Sequence, residues 1–179
     1  MRLRVAEQAQ RNRVYLVTPV LPTPQRALTI DETTYGPDHP AVATRLGNLA
    51  AILKNLRQAD QARPLAERAL TIDETTYGPD HPAVGIRLSN LSGILQNLGQ
   101  SDQALPLAQR ALTIHEAAYG PGHLAVAIDL INLVTILKDL GHPGRARPLA
   151  ERALTIHQAA YGPYHPTVIR IRYCLDSLG

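Results

Sequence analysis

The chain has no phenylalanine, no tryptophan, one cysteine and only two lysines in 179 residues. Each shortage closes off a class of structure. One cysteine excludes a disulfide framework and a cysteine-based zinc site. Without Phe or Trp, any core must be filled by Leu, Ile, Val and Ala. A compact chain of this length buries roughly 70% of its unfolded surface, so aliphatic residues suffice. No apolar run approaches the roughly 18–20 residues that span a bilayer, which argues against a membrane protein. Residues 14–21 follow several arginines, as a secretory leader would. Yet Glu7 lies upstream, Pro19 interrupts the run, Pro22 ends it, and no small-x-small cleavage site follows. A cytoplasmic chain is expected, and the lone Cys174 fits a reducing compartment.

Charge of one sign is scarce as well. The net charge is +3, from 18 basic and 15 acidic residues. Four of the sixteen arginines lie within the first thirteen residues, and the rest are interspersed with acids. Such mixing describes a solvated surface and not a nucleic-acid stripe. At 45% hydrophobic and 18% charged, the composition also excludes disorder over most of the length.

What the chain has in quantity is Pro (14) and Gly (12), and both recur at a fixed interval. A shift of 42 residues superimposes Arg26, Arg68, Arg110 and Arg152, each followed by Ala-Leu-Thr-Ile. Residues 26–43 read RALTIDETTYGPDHPAVA, and 68–85 repeat them with one difference. Eleven prolines fall in three registers: 37/79/121/163, 40/82/166 and 22/64/106/148. They mark where helices stop and start.

Each unit carries two helical patterns. In the first, Val42, Leu46, Leu49, Ala50, Leu53 and Leu56 fall on one face of a helix that starts at Pro40, with Asp38 as its expected cap. The second starts near Asp60 and carries Ala62, Leu65, Ala66, Ala69, Leu70 and Ile72. It ends at Tyr77, where Gly-Pro supplies a left-handed cap and a stop. Tyr35, Tyr119 and Tyr161 end its sister helices in the same way. Alanines at steps of four and three recur as 62/66/69, 104/108/111 and 146/150/153, so a neighbouring helix packs closely against them. A single hairpin cannot bury both apolar faces, whereas stacked copies can.

These residues, with Asn48-Leu49-Ala50, Pro64-Leu65-Ala66-Glu67-Arg68-Ala69-Leu70, Gly36-Pro37-Asp38-His39-Pro40-Ala41-Val42 and their copies, resemble the tetratricopeptide repeat, in the 42-residue form of kinesin light chain. The resemblance covers about residues 22–179. It implies an all-α fold, a right-handed α-solenoid of antiparallel helix pairs. The large aromatics usual in the family are replaced by Leu53, Leu95 and Leu137 and by Ala66, Ala108 and Ala150. On this reading residues 1–21 are a divergent segment and 22–35 a second-type helix without its partner. Full repeats occupy about 40–77, 82–119 and 124–161, and 166–178 form a capping helix. The bias of Arg over Lys would suit a GC-rich bacterial genome, where such modules often belong to larger regulators or signalling ATPases.

Seven histidines invite a metal or catalytic reading. His39, His81, His123 and His165 share one register, but solenoid units stack roughly 10 Å apart, while ligands of one metal lie within about 2 Å of it. A turn histidine that stabilises a helix start is the plainer account. His115 and His157, standing where earlier units have Asp31 and Asp73, are expected on an exposed surface. Cys174 has none of the surroundings of a catalytic thiol. No phosphate-loop, Rossmann or nucleophile-elbow pattern is present, so neither an enzyme nor a cofactor is expected.

The expected function is therefore binding. By resemblance, the first helix of each unit lines a concave groove that holds a protein or peptide partner. Asn48, Asn90 and Asn132, with Asn55 and Asn97, form an amide ladder there, and each amide both donates and accepts. The ladder either meets a peptide backbone or ties neighbouring helices together. Gly47 and Gly93 leave room beside it. Arg45, Arg87, Lys54 and Lys138 would make the groove mildly basic and suited to an acidic peptide, unless they are simply a solvated face. Self-association through the terminal helices is the alternative. Neither nucleic acid nor membrane is an expected partner.

Overall fold

A computed structural model describes residues 24–178. The divergent segment at 1–21 lies outside the described residues. Within them the chain is helical and contains no strand. The helices are α1 (Pro24–Tyr35), α2 (Pro40–Asn55), α3 (Ala59–Tyr77), α4 (Pro82–Asn97), α5 (Ser101–Tyr119), α6 (Leu124–Asp139), α7 (Pro143–Tyr161) and α8 (Pro166–Asp176). Pairs α2/α3, α4/α5 and α6/α7 are the three complete hairpins.

The turn chemistry explains the boundaries. His39, His81, His123 and His165 cap the first-type helices, each ring Nδ1 accepting the backbone N–H two residues on, at 3.1–3.2 Å. Asp38 was the expected cap, and the structure corrects this. It sits one residue too early, outside the cap position. Proline at 40 has no N–H, so the first free donor belongs to Ala41, within reach of the imidazole. Each capping ring also packs on the tyrosine that ends the preceding helix, with centroids 4.5–4.9 Å apart. After that tyrosine, Gly78, Gly120 and Gly162 adopt φ of 81 to 88° and ψ of 160 to 166°. This is mirror-extended backbone, essentially closed to side chains, and not the left-handed helical cap expected.

Packing follows the aliphatic composition. Val42, Leu46, Val84, Leu88, Val126 and Leu130 are fully buried, and the alanine rows of α3, α5 and α7 lie beneath them almost without exposure. Small side chains on one helix and branched ones on its neighbour fill the seam without aromatics. Truncating one of these leucines to alanine costs about 2–5 kcal/mol, because no flexible large neighbour can collapse into the gap.

Two features define the superhelix. The backbones of α2 and α4, and those of α4 and α6, come close together, whereas those of α3, α5 and α7 stay apart and meet only through side chains. The first-type helices are therefore the inner, concave row. Between units, the arginine that marks each repeat forms a clamp. Arg68 donates to Glu32 (2.6 Å) and to the Pro37 carbonyl (2.8 Å) of the unit before. Arg110 does the same to Glu74 (2.7 Å) and Pro79 (2.7 Å), and Arg152 to Glu116 (2.5 Å) and Pro121 (3.0 Å). A planar guanidinium with five donors suits two acceptors on different elements.

Candidate functional site

On the inner row, the expected basic residues are not equivalent. Arg45 pairs with Asp31 at 2.8 Å, and Arg87 with Asp73 at 2.7 Å. Arg87 also donates to Thr44 of the preceding unit (3.4 Å), and its guanidinium fills the space that Gly47 leaves. The room expected at Gly47 is thus already occupied, and both arginines are neutralised by carboxylates from the second-type helices. Lys138 donates to Ser177 (3.0 Å).

The third unit inverts the pair. His115 stands for the aspartate and Asp129 for the arginine, with Nδ1 and Oδ2 2.5 Å apart. Neither His115 nor His157 is a surface residue: they are 3% and 5% exposed, which overturns the expectation of drift on an open face. The reason lies in their neighbours. Ser89 occupies the register of Gly47, which held the Arg87 guanidinium, while Gly85 replaces Ala43 and accommodates the His115 ring. A Cβ on Gly85 would stand 2.6 Å from His115 Nε2. Burial disfavours a charged ring. The hydrogen bond and charge of Asp129, with the Pro82 carbonyl 3.3 Å from Nε2, outweigh it and hold the His115 pKa above its ordinary 6.5.

The asparagine ladder divides between its two readings. Asn132 donates to Ser89 (2.9 Å), tying α6 to α4. Asn48 is exposed, Asn90 is half-buried, and no hydrogen bond engages either side chain among the described residues. Asn55 and Asn97 sit at the far end of the row. There they line a cleft of about 350 Å³ with Lys54, Arg57 and Ala59.

A larger hollow opens at the other end. The backbones of α6 and α8 do not meet as their predecessors do. Between them lies a half-open cavity of about 630 Å³, walled by Ile128, Ile131, Val134 and Ile171, with Asn132 and Arg170 among its polar residues. His157 lines it too. Its Nδ1 lies 2.9 Å from the Ala153 carbonyl, to which it donates. Nothing in the sequence pattern alone points to this cavity. Among the described residues, no group of three or more His, Cys, Asp or Glu could hold a metal ion. No helix among them is long and apolar enough to cross a membrane.

Comparison with known proteins agrees with this geometry. Residues 42–83 and 86–159 each match a family model described as tetratricopeptide repeat. No curated protein matches the sequence. Among solved structures, BtubC (BKLC) from P. vanneervenii is similar, with 28% identity and a TM-score of 0.68. That match covers 80% of this chain, which spans 57% of that one. Two structures of a Podosopora anserina kinesin light chain protein with nearly identical TPR-like repeats share the fold, at TM-scores of 0.73 and 0.72. They are 19% and 20% identical, and each match covers 98% of this chain and 82% of that one.

Proposed function

Since the chain belongs to the tetratricopeptide repeat family, whose repeats serve as protein-interaction scaffolds, we propose that it binds a partner peptide along its inner row of helices. The observation that supports this most is the cavity between α6 and α8. Its volume of about 630 Å³ falls in the range of ligand sites, and its mostly apolar surface, with Ile128, Ile131, Val134 and Ile171, is joined by polar groups such as Asn132, His157 and Arg170. A peptide would place an apolar side chain there and run its backbone past Asn90 and Asn48, whose amides have no partner among the described residues. We place this activity in the cytoplasm, where the single thiol of Cys174 is at home.

The test is capture of binding partners on immobilised chain, followed by mass spectrometry. Ile128 is 54% exposed, so Ile128→Glu spoils the cavity mouth without entering the core. Asn48→Ala with Asn90→Ala removes the free amides and leaves the Asn132 tie intact. Captured partners should be lost from both variants while helical circular dichroism is unchanged. Retention of the same partners by both would place binding on another face.

One observation favours a second reading. Tyr173 and Ile169 on α8 are 71% and 40% exposed, an apolar end face that another copy could cover. Light scattering from 1 to 100 μM decides it: a constant monomer mass excludes self-association.

A further inference from the structure

We propose that the cleft between the first two units is an oxyanion site that takes the side-chain carboxylate of an acidic residue in the bound peptide. The proposal rests on the groove reading and adds to it the chemistry of one anchor.

The three junctions along the inner row are copies of one another, so the chain supplies its own comparison. At the end of each first-type helix a nitrogen donor reaches towards the next unit: Lys54, Gln96 and Lys138 in turn. Gln96 donates to Asp139 at 2.8 Å, and the Ser101 hydroxyl lies 3.5 Å from the same oxygen. Lys138 donates to Ser177 at 3.0 Å. In both cases the following unit provides an oxygen. At the first junction it does not. Lys54 extends over Gly93, its ammonium 3.4 Å from where a Cβ would stand, and glycine offers no acceptor. Asn97 occupies the register of Asp139, and Ala59 that of Ser101. Among the described residues nothing accepts from Lys54 Nζ.

A second cation joins it. Arg57 occupies the register of Gly99 and Gly141 and adopts the same left-handed backbone, with φ of 60° against 72° and 75°. Its side chain lines the cleft with Lys54, Asn55 and Asn97, and no carboxylate is in the lining. An arginine held where glycine is preferred, beside a lysine without an acceptor, leaves an excess of donors around about 350 Å³ of open space. At the second junction that role is filled by a carboxylate of the chain itself. The missing group at the first is therefore a carboxylate from outside, flanked by the cations and by two amides that can donate.

The full chain, labelled with ¹⁵N, is titrated with a hexaglutamate peptide, a hexaglutamine peptide and inorganic phosphate. Hexaglutamate should shift the amide resonances of Asn55, Arg57 and Asn97, saturably and less at high salt. Hexaglutamine should not, and phosphate should bind at least tenfold more weakly. Asn97→Asp installs the carboxylate of the second junction, and Lys54→Gln installs its donor. Both residues occur at these registers in sister units, so the fold tolerates them. Each should weaken hexaglutamate binding at least tenfold. Unchanged affinity in Asn97→Asp and Lys54→Gln overturns the proposal. So do equal shifts from hexaglutamine, or saturation by phosphate while hexaglutamate leaves the cleft unmoved. Loss of captured partners in Ile128→Glu reports on the groove separately, so either reading can fall alone.

Discussion

The buried pair of the third unit makes an unequal prediction for its two halves. His115→Ala leaves the Asp129 carboxylate 1% exposed, with Oδ1 already lacking a hydrogen bond and Oδ2 newly stripped of its partner. An uncompensated buried charge of this kind costs about 3–5 kcal/mol. In Asp129→Ala the imidazole releases its proton and stays as a neutral ring, so the loss is one charge-assisted hydrogen bond, about 1.5–3 kcal/mol. Removing the base should therefore cost about 2 kcal/mol more than removing the acid. Urea unfolding of both variants and of the double variant, at constant m, measures the difference and the coupling energy.

The pH dependence sharpens this test. In the parent, the folded-state pKa of His115 lies above its unfolded value. The stability it contributes is complete below about pH 6.5 and is lost as pH rises through the folded pKa. Without Asp129, burial dominates and the folded pKa drops below the unfolded one. The sign then reverses, and this ring's contribution increases with pH through the ordinary histidine range. Equal costs for the two truncations would refute the reasoning. So would an Asp129→Ala protein that still weakens through the His115 titration as pH rises.

Three further outcomes follow from the turns and clamps. Arg57→Gly should raise stability by roughly 0.5–1 kcal/mol by relieving a left-handed arginine, read as a higher urea midpoint, even as it removes a cation from the proposed oxyanion cleft. Gly78→Ala should cost about 1–3 kcal/mol, since φ of 88° with ψ of 162° is closed to a side chain; a loss near zero would mean that the turn relaxes freely. Arg110→Ala removes both a half-exposed ion pair with Glu74 and a bond to the Pro79 carbonyl, and should cost about 1–2 kcal/mol. Calorimetry should then show the junction of the first two complete units broadening into a separate transition.

Which of these features could be read in the sequence depends on whether the information lies in one position or in two. The hairpins were legible because each start and stop is written locally: Pro40, the Tyr-Gly-Pro sequence and the leucine spacing each act within a few residues. The cap assignment failed by a single residue, because Asp38 is the commoner capping type and the imidazole's reach to Ala41 is a matter of ring geometry. The inner-row charges were misread for a deeper reason. Taken down one column, Arg45, Arg87 and Asp129 look like independent drift, as do Asp31, Asp73 and His115 down another. Read as pairs fourteen residues apart, they show a basic residue always facing an acidic one, with the order exchanged in the third unit. The exchange also goes with its neighbours: Gly47 admits the Arg87 guanidinium, Ser89 in the same register accepts from Asn132 instead, and Gly85 opens for the His115 ring. A four-residue correlation of this kind is invisible to a column-by-column comparison, yet it is physically required once the side chains share a seam. The same logic identifies Lys54. Its significance comes from the acceptors that Asp139 and Ser177 provide elsewhere and that Gly93 and Asn97 do not. In a repeat protein the sister units are the control experiment, and a position that lacks what its sisters supply is where an outside partner fits.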